Sequence, residues 1–176
     1  MNRLFVLLIF FVLPSLSLCS FASVNIGTVK VNFSGSIRGT SCKIVTNNLN
    51  VDLGVWLTYG KPKNSTTEWE EFDLEFNCTS GSQVVGKLQG VTASDGRSFA
   101  IDSGNGAATG MAIQIEAYSN NRWELKKNND VTVLLNSTAT TNGSNKVKFR
   151  ANYKILSDSV TAGNANATIT FVVENN

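Results

Sequence analysis

Apolar residues fall on every second position in segment after segment of this chain. In the first such segment Val29, Val31, Phe33 and Ile37 share a register with Gly27 and Gly35, and Thr28, Lys30, Asn32, Ser34 and Ser36 fill the alternate places. A period of two sends one set of side chains to each face of an extended strand. The same alternation recurs at Phe72, Leu74, Phe76 and Cys78; at Met111, Ile113 and Ile115; at Val147, Phe149, Ala151, Tyr153 and Ile155; and at Ala165, Ala167, Ile169, Phe171 and Val173. Shorter runs occupy Leu49–Leu53, Val84–Gly90 (broken by Gly86), Phe99–Ile101, Trp123–Leu125 and Val131–Leu135. Beyond the first residues no long 3.6-residue period appears. About eight or nine short strands joined by turns such as Thr79–Ser82, Ser94–Arg97 and Asn142-Gly143 describe a β-sandwich rather than a parallel sheet. Val55–Lys63, with Trp56 and Tyr59, reads as a loop with aromatic anchors, and glycine-rich 102–110 as a flexible connection without the ending of a phosphate loop.

The start of the chain is different. Arg3 precedes an unbroken apolar run from Leu4 to Leu13, and Ser20-Phe21-Ala22 supplies small residues three before and one before a cut after Ala22. This is the pattern of a secretory signal over residues 1–22. The run is too short to span a bilayer comfortably. A lipid-modified Cys19 is disfavoured because Leu18, not a small residue, precedes it. Cleavage leaves Cys42 and Cys78, and an exported chain with one remaining pair is expected to join it in a disulfide. On the chain-entropy view that bridge is worth roughly 3 to 4 kcal/mol.

Composition narrows the function. Fifteen basic and 13 acidic residues give a net charge of +2, too balanced to point to nucleic acid. There is no histidine, which removes Ser-His-Asp triads, Cys-His pairs and His-ligated zinc. A carboxylate hydrolase would need pairs such as Glu68/Glu70 or Glu70/Glu71, and adjacent residues of a strand face opposite ways. No cofactor site is expected. Trp56, Tyr59, Trp69 and Trp123 offer rings on which a glycan could stack, so a non-polymerising secreted glycan-binding module is the alternative function.

The ordered motifs resemble a known family. Val31-x-Phe33-x-Gly35-x-Ile37 followed by Cys42, then Val51-Asp52-Leu53-Gly54, then Phe72-x-Leu74-x-Phe76-x-Cys78, is similar to the first part of type 1-like pilus subunits of the chaperone–usher pathway. Ala108-Thr109-Gly110-Met111-Ala112-Ile113-Gln114-Ile115 resembles their central strand, and Phe149-x-Ala151-x-Tyr153 a late one. Gly163, fourteenth from the end, opens an alternating terminal run as in that family. One departure is Asn175, where the family usually carries an aromatic residue.

The resemblance implies an all-β, incomplete immunoglobulin-like sandwich lacking its final strand, with the pilin domain over residues 36–176. It implies that residues 23–35 form a donor-strand arm with Gly27, Val29, Val31 and Phe33 as inserted knobs. The acceptor groove would be bordered by the terminal strand bearing Gly163, Ala165, Ala167, Ile169, Phe171, Val173 and Asn175. The implied partners are a periplasmic pilus chaperone, an outer-membrane usher and neighbouring pilus subunits, with a host glycan as a further candidate. The implied location is a fimbrium on the bacterial surface, reached through the periplasm. The Asn175 departure leans toward a minor pilin.

Overall fold

The computed structural model describes residues 42–46 and 48–175. The expected signal over residues 1–22 and the expected arm with Gly27, Val29, Val31 and Phe33 lie outside them. Among the described residues there are nine strands: β1 (Cys42–Ile44), β2 (Glu70–Cys78), β3 (Val84–Gln89), β4 (Phe99–Ala100), β5 (Met111–Ser119), β6 (Arg122–Lys126), β7 (Thr132–Leu135), β8 (Gly143–Ile155) and β9 (Thr170–Asn175). One sheet runs β1-β2-β8-β5-β4, with β6 also on β5; the other runs β7-β3-β9. All pairings between these strands are antiparallel.

The alternating residues meet between the sheets as the sequence pattern requires. Leu74 and Phe76 of β2, Ile113 and Ile115 of β5, and Val147, Phe149 and Ala151 of β8 form the buried core with Val84 and Leu88 of β3. At its centre Phe149 stacks on Phe72 at 5.6 Å, and Phe171 meets Phe149 edge-on at 5.1 Å. Such pairs add about 0.5–1.5 kcal/mol each to the burial itself. The β5–β6 hairpin turns through Asn120 and Asn121, both at positive φ; paired left-handed residues suit a tight hairpin, and asparagine tolerates them.

Three local expectations are corrected. Residues 49–53 form no strand: Val51 and Leu53 are half-buried, but Leu49 is exposed. No described strand lies alongside to complete a ladder. Gly86 does not interrupt β3; a side chain there would come within 2.6 Å of Leu134 and 3.2 Å of the Val172 carbonyl, so the glycine lets both flanking strands close in. Val131 and Val133 are exposed, while Leu134 and Leu135 pack against the core. The cause is a register shift between Val84 and Val85 opposite β7, which changes which residues face inward.

One ion pair ties the β3–β4 connection to β8. The Asp95 carboxylate accepts bonds from the Arg97 and Ser98 amides, the Ser98 hydroxyl and, at 3.2 Å, the Lys154 ammonium. Burial alone would raise its pKa, but these donors outweigh burial and hold it at about 2 against an ordinary 3.8. A carboxylate depressed on folding stabilises fully above its unfolded pKa, and the contribution is lost as pH falls through the folded value. Urea unfolding across pH should therefore show stability draining between about pH 4 and about pH 2, the two ends of that shift. Asp95→Asn should be less stable at neutral pH and should lack that share of the acid loss; an unchanged acid slope would contradict the assignment.

Candidate functional site: an apolar groove between two unpaired edges

An open groove of about 970 Å³ runs along one side of the sandwich. Its floor is core: Phe72 and Leu74 of β2, Ile113 and Ile115 of β5, and Ala151 of β8. One rim is the segment that continues from β1, carrying Ile44, Leu49, Val51 and Leu53. The opposite rim is the terminal segment, carrying Ala167, Ile169 and Phe171.

Both rims are edges. Strand β9 pairs with β3 on one side, from Gln89↔Thr170 to Val84↔Asn175, and no described strand pairs with its other side. Among the described residues, the backbone of 49–57 makes one hydrogen bond, from the Gly54 amide to Asp52 Oδ1 at 2.9 Å. Two unpaired backbone edges thus flank a strip of side chains that belong to the hydrophobic core. Such an arrangement is a template for a further strand.

Sequence and geometry explain the terminal rim. Ala165, Ala167, Ile169, Phe171 and Val173 are half-buried and pack on the core, while the intervening Asn166, Thr168 and Thr170 are exposed. The ladder begins only at Thr170 because its partner β3 ends at Gln89. Upstream, the segment is held in other ways. The Tyr153 hydroxyl donates to the Ala165 carbonyl at 2.9 Å, and the Asp102 amide donates to the Asn166 carbonyl at 2.7 Å. Burial pushes the Tyr153 phenol up, and the Asp52 carboxylate adds to the shift. Gly163 is exposed, but a side chain on it would lie 2.5 Å from the Gly106 carbonyl and 2.6 Å from the Ala108 nitrogen. Its smallness permits the exchange of backbone bonds between Asn164 and residues 106 and 108, at 2.8 and 2.9 Å. The backbone of Asn175 ends the ladder opposite Val84.

The first rim is anchored by a disulfide. Cys42 and Cys78, 36 positions apart in sequence, are bonded where they face each other in the β1–β2 register. Because β1 is only three residues long, the bridge fixes the start of this rim.

The aromatic residues that suggested a glycan surface do not form one platform: Trp69 and Trp123 meet at Arg150, while Trp56 and Tyr59 have other surroundings. Trp56 packs against the core, whereas Tyr59 is fully exposed and anchors nothing. Trp69 and Trp123 enclose the Arg150 guanidinium, 4.5 and 4.4 Å from its carbon, and Glu116 holds the same guanidinium at 2.6 and 2.8 Å. Those ring faces serve an internal cation–π stack. The Arg150–Glu116 ladder position between β8 and β5 carried no sequence signal of its own, because the rings come from elements distant along the chain.

The fimbrial protein family profile matches residues 31–175, and the chain belongs to that family. It is a structural subunit and not an enzyme. It is 28% identical over 159 residues to the "Fimbrial-like protein FimF" of Salmonella typhimurium, covering 88% of each chain. The fold superposes with a TM-score of 0.63 on the CupB6 tip adhesin from Pseudomonas aeruginosa, at 20% identity and over 77% of this chain. That match spans 38% of the adhesin's length. A subunit of a chaperone–usher pilus, solved in work on rod uncoiling, gives a TM-score of 0.58 at 18% identity, over 88% of this chain and 99% of its own. These likenesses establish an immunoglobulin-like pilin sandwich.

Phe171 links rim and core, lying edge-on to both Phe149 and Phe72. Phe171→Ala should lower urea stability by about 3 kcal/mol, the lower end for a large aromatic because the ring is only half-buried. A loss under about 0.5 kcal/mol, the usual range of surface substitutions, would show that the rim is not built on this contact.

Proposed function

We propose that this chain polymerises by donor-strand exchange: the arm of one subunit, residues 23–35, fills the groove of the next. The observation that supports this most is the groove itself, a strip of core side chains between two edges that pair with no strand on the groove side among the described residues. A strand laid there forms ladder bonds and closes the apolar floor at once, which is β-strand addition between molecules. The arm has the matching pattern, with Val29, Val31 and Phe33 on one face and Gly27 in the same register. Burying each large knob contributes roughly 1.5 to 3 kcal/mol.

The same physics demands a temporary occupant before assembly. A periplasmic chaperone lends a strand to the groove after export and removal of residues 1–22, and an outer-membrane usher passes the subunit to the fibre. The pilin domain then spans 36–176. Polar Asn175, at the end of β9, supports a minor rather than a bulk subunit, since the family's usual aromatic side chain is missing there. Gly163 to Val173 form the groove's terminal border in this reading.

Residues 23–176 expressed alone should self-associate or misfold, as seen by light scattering and size-exclusion chromatography. Moving the arm, by deleting residues 23–34 and appending the 23–35 sequence after Asn176 through a flexible linker, should yield a stable monomer. A mature chain that stays monomeric, and is no less stable without its arm, would contradict donor-strand exchange.

A further inference from the structure

Immediately beyond Leu53 the chain presents an apolar ridge that the groove does not use. Gly54 sits at φ +70° and breaks the alternation of burial. Before it Val51 and Leu53 turn inward; after it Trp56 and Thr58 do. Val55, Leu57 and Tyr59 are therefore left outward at 95%, 81% and 100% exposure. Scattered surface apolar residues need no explanation, but three large ones in one period-two row, with no ladder partner among the described residues, mark an interaction edge.

The position of the ridge is fixed from both sides. It lies between Asp52 and Asn64, and the chain returns at Asn64, whose amide donates to the Ile155 carbonyl at 2.8 Å, and at Thr67, whose amide donates to the Tyr153 carbonyl at 3.1 Å. Tyr153 in turn holds Ala165. The ridge thus stands at the Ala165 end of the groove, away from Asn175.

That end is where a donor would emerge. All strand pairings in the sandwich are antiparallel. An arm added antiparallel to β9 begins beside Asn175 and finishes, near its Gly35, beside Ala165. Between Gly35 and Cys42, the first residue of β1, the connecting chain reaches no more than about 25 Å even fully extended. The donor's globular body therefore starts within about 25 Å of this end of the acceptor, and the surface of the acceptor nearest to it is this one.

We propose that Val55, Leu57 and Tyr59 form a second contact in the fibre, a landing surface for the body of the subunit whose arm occupies the groove. This rests on the arm-in-groove reading but is separable from it. The groove recognises a strand; the ridge recognises what the strand is attached to. A subunit that presents an apolar patch next to its own arm would gain residence time over a free strand of the same sequence. The surface would also limit bending at the joint.

The test compares two complexes of the chain, one with a synthetic peptide of residues 23–35 and one with a second copy of the chain as donor. Hydrogen exchange is followed at the amides of 55–59, and dissociation is followed for the chain and for the triple variant Val55→Ser, Leu57→Ser, Tyr59→Ser. These side chains are so exposed that the variant leaves the core intact, and its circular dichroism checks this. The proposal expects slowed exchange at 55–59 only with the whole-chain donor. It also expects the variant to speed dissociation of that complex by about tenfold or more, as loss of an interface anchor does, while the peptide complex is unaffected. If the peptide binds and the ridge behaves alike in both complexes, the ridge proposal is overturned and the groove reading stands. If neither donor binds, both fall together.

Discussion

The distinctive features of this molecule follow from backbone edges that have no partner among the described residues. A β-strand can satisfy its amides and carbonyls only through a neighbour, and a sandwich can cover its interior only if every position in both sheets is filled. Among the described residues β9 has a neighbour on one side, and the segment 49–57 has almost none. Between them Phe72, Leu74, Ile113, Ile115 and Ala151, residues of the core, line an open groove. In the proposed exchange, the cost of leaving such a strip in water is what would make a strand from elsewhere a strong ligand, without any specialised binding chemistry.

The remaining features serve to keep that groove in shape. The Cys42–Cys78 bridge adds a covalent tie to a strand only three residues long. Tyr153 and the close approach allowed by Gly163 pin the terminal rim where no ladder supports it. Phe171 joins that rim to Phe149 and Phe72. The charged network around Arg150 and the Asp95–Lys154 pair lie apart from the groove lining and contribute rigidity to the sheet that provides its floor.

Much of this was legible in the residue pattern because a half-buried strand writes its burial into a period of two. The strands at 72–78, 111–115 and 147–155 and the inward register of 165–173 were readable that way, and the cysteine pair was readable from the count left after the expected export signal. Where the pattern misled, a non-local cause can be named. Leu49, Val51 and Leu53 alternate like any strand, yet a ladder needs a partner, and none of the described strands supplies it. Val131 and Val133 point outward because a register shift opposite Val84 and Val85 leaves Leu134 as an extra residue in β7. Gly86 resembles a strand breaker but is the condition for close packing of β7 and β9. The ridge at Val55, Leu57 and Tyr59 was hidden because its alternation is apolar on the outside, reversed at Gly54. The groove could not be read from composition or spacing, since it depends on which strand is missing; the ordered resemblance to pilus subunits supplied that expectation.

The most direct test is an experimental structure of two copies of the mature chain joined in assembly. The account predicts that Val29, Val31 and Phe33 of one copy lie against Phe72, Leu74 and Ile115 of the other, with the donated backbone hydrogen-bonded to β9. A structure in which each arm instead closes its own sandwich, paired permanently with its own β9, would contradict it.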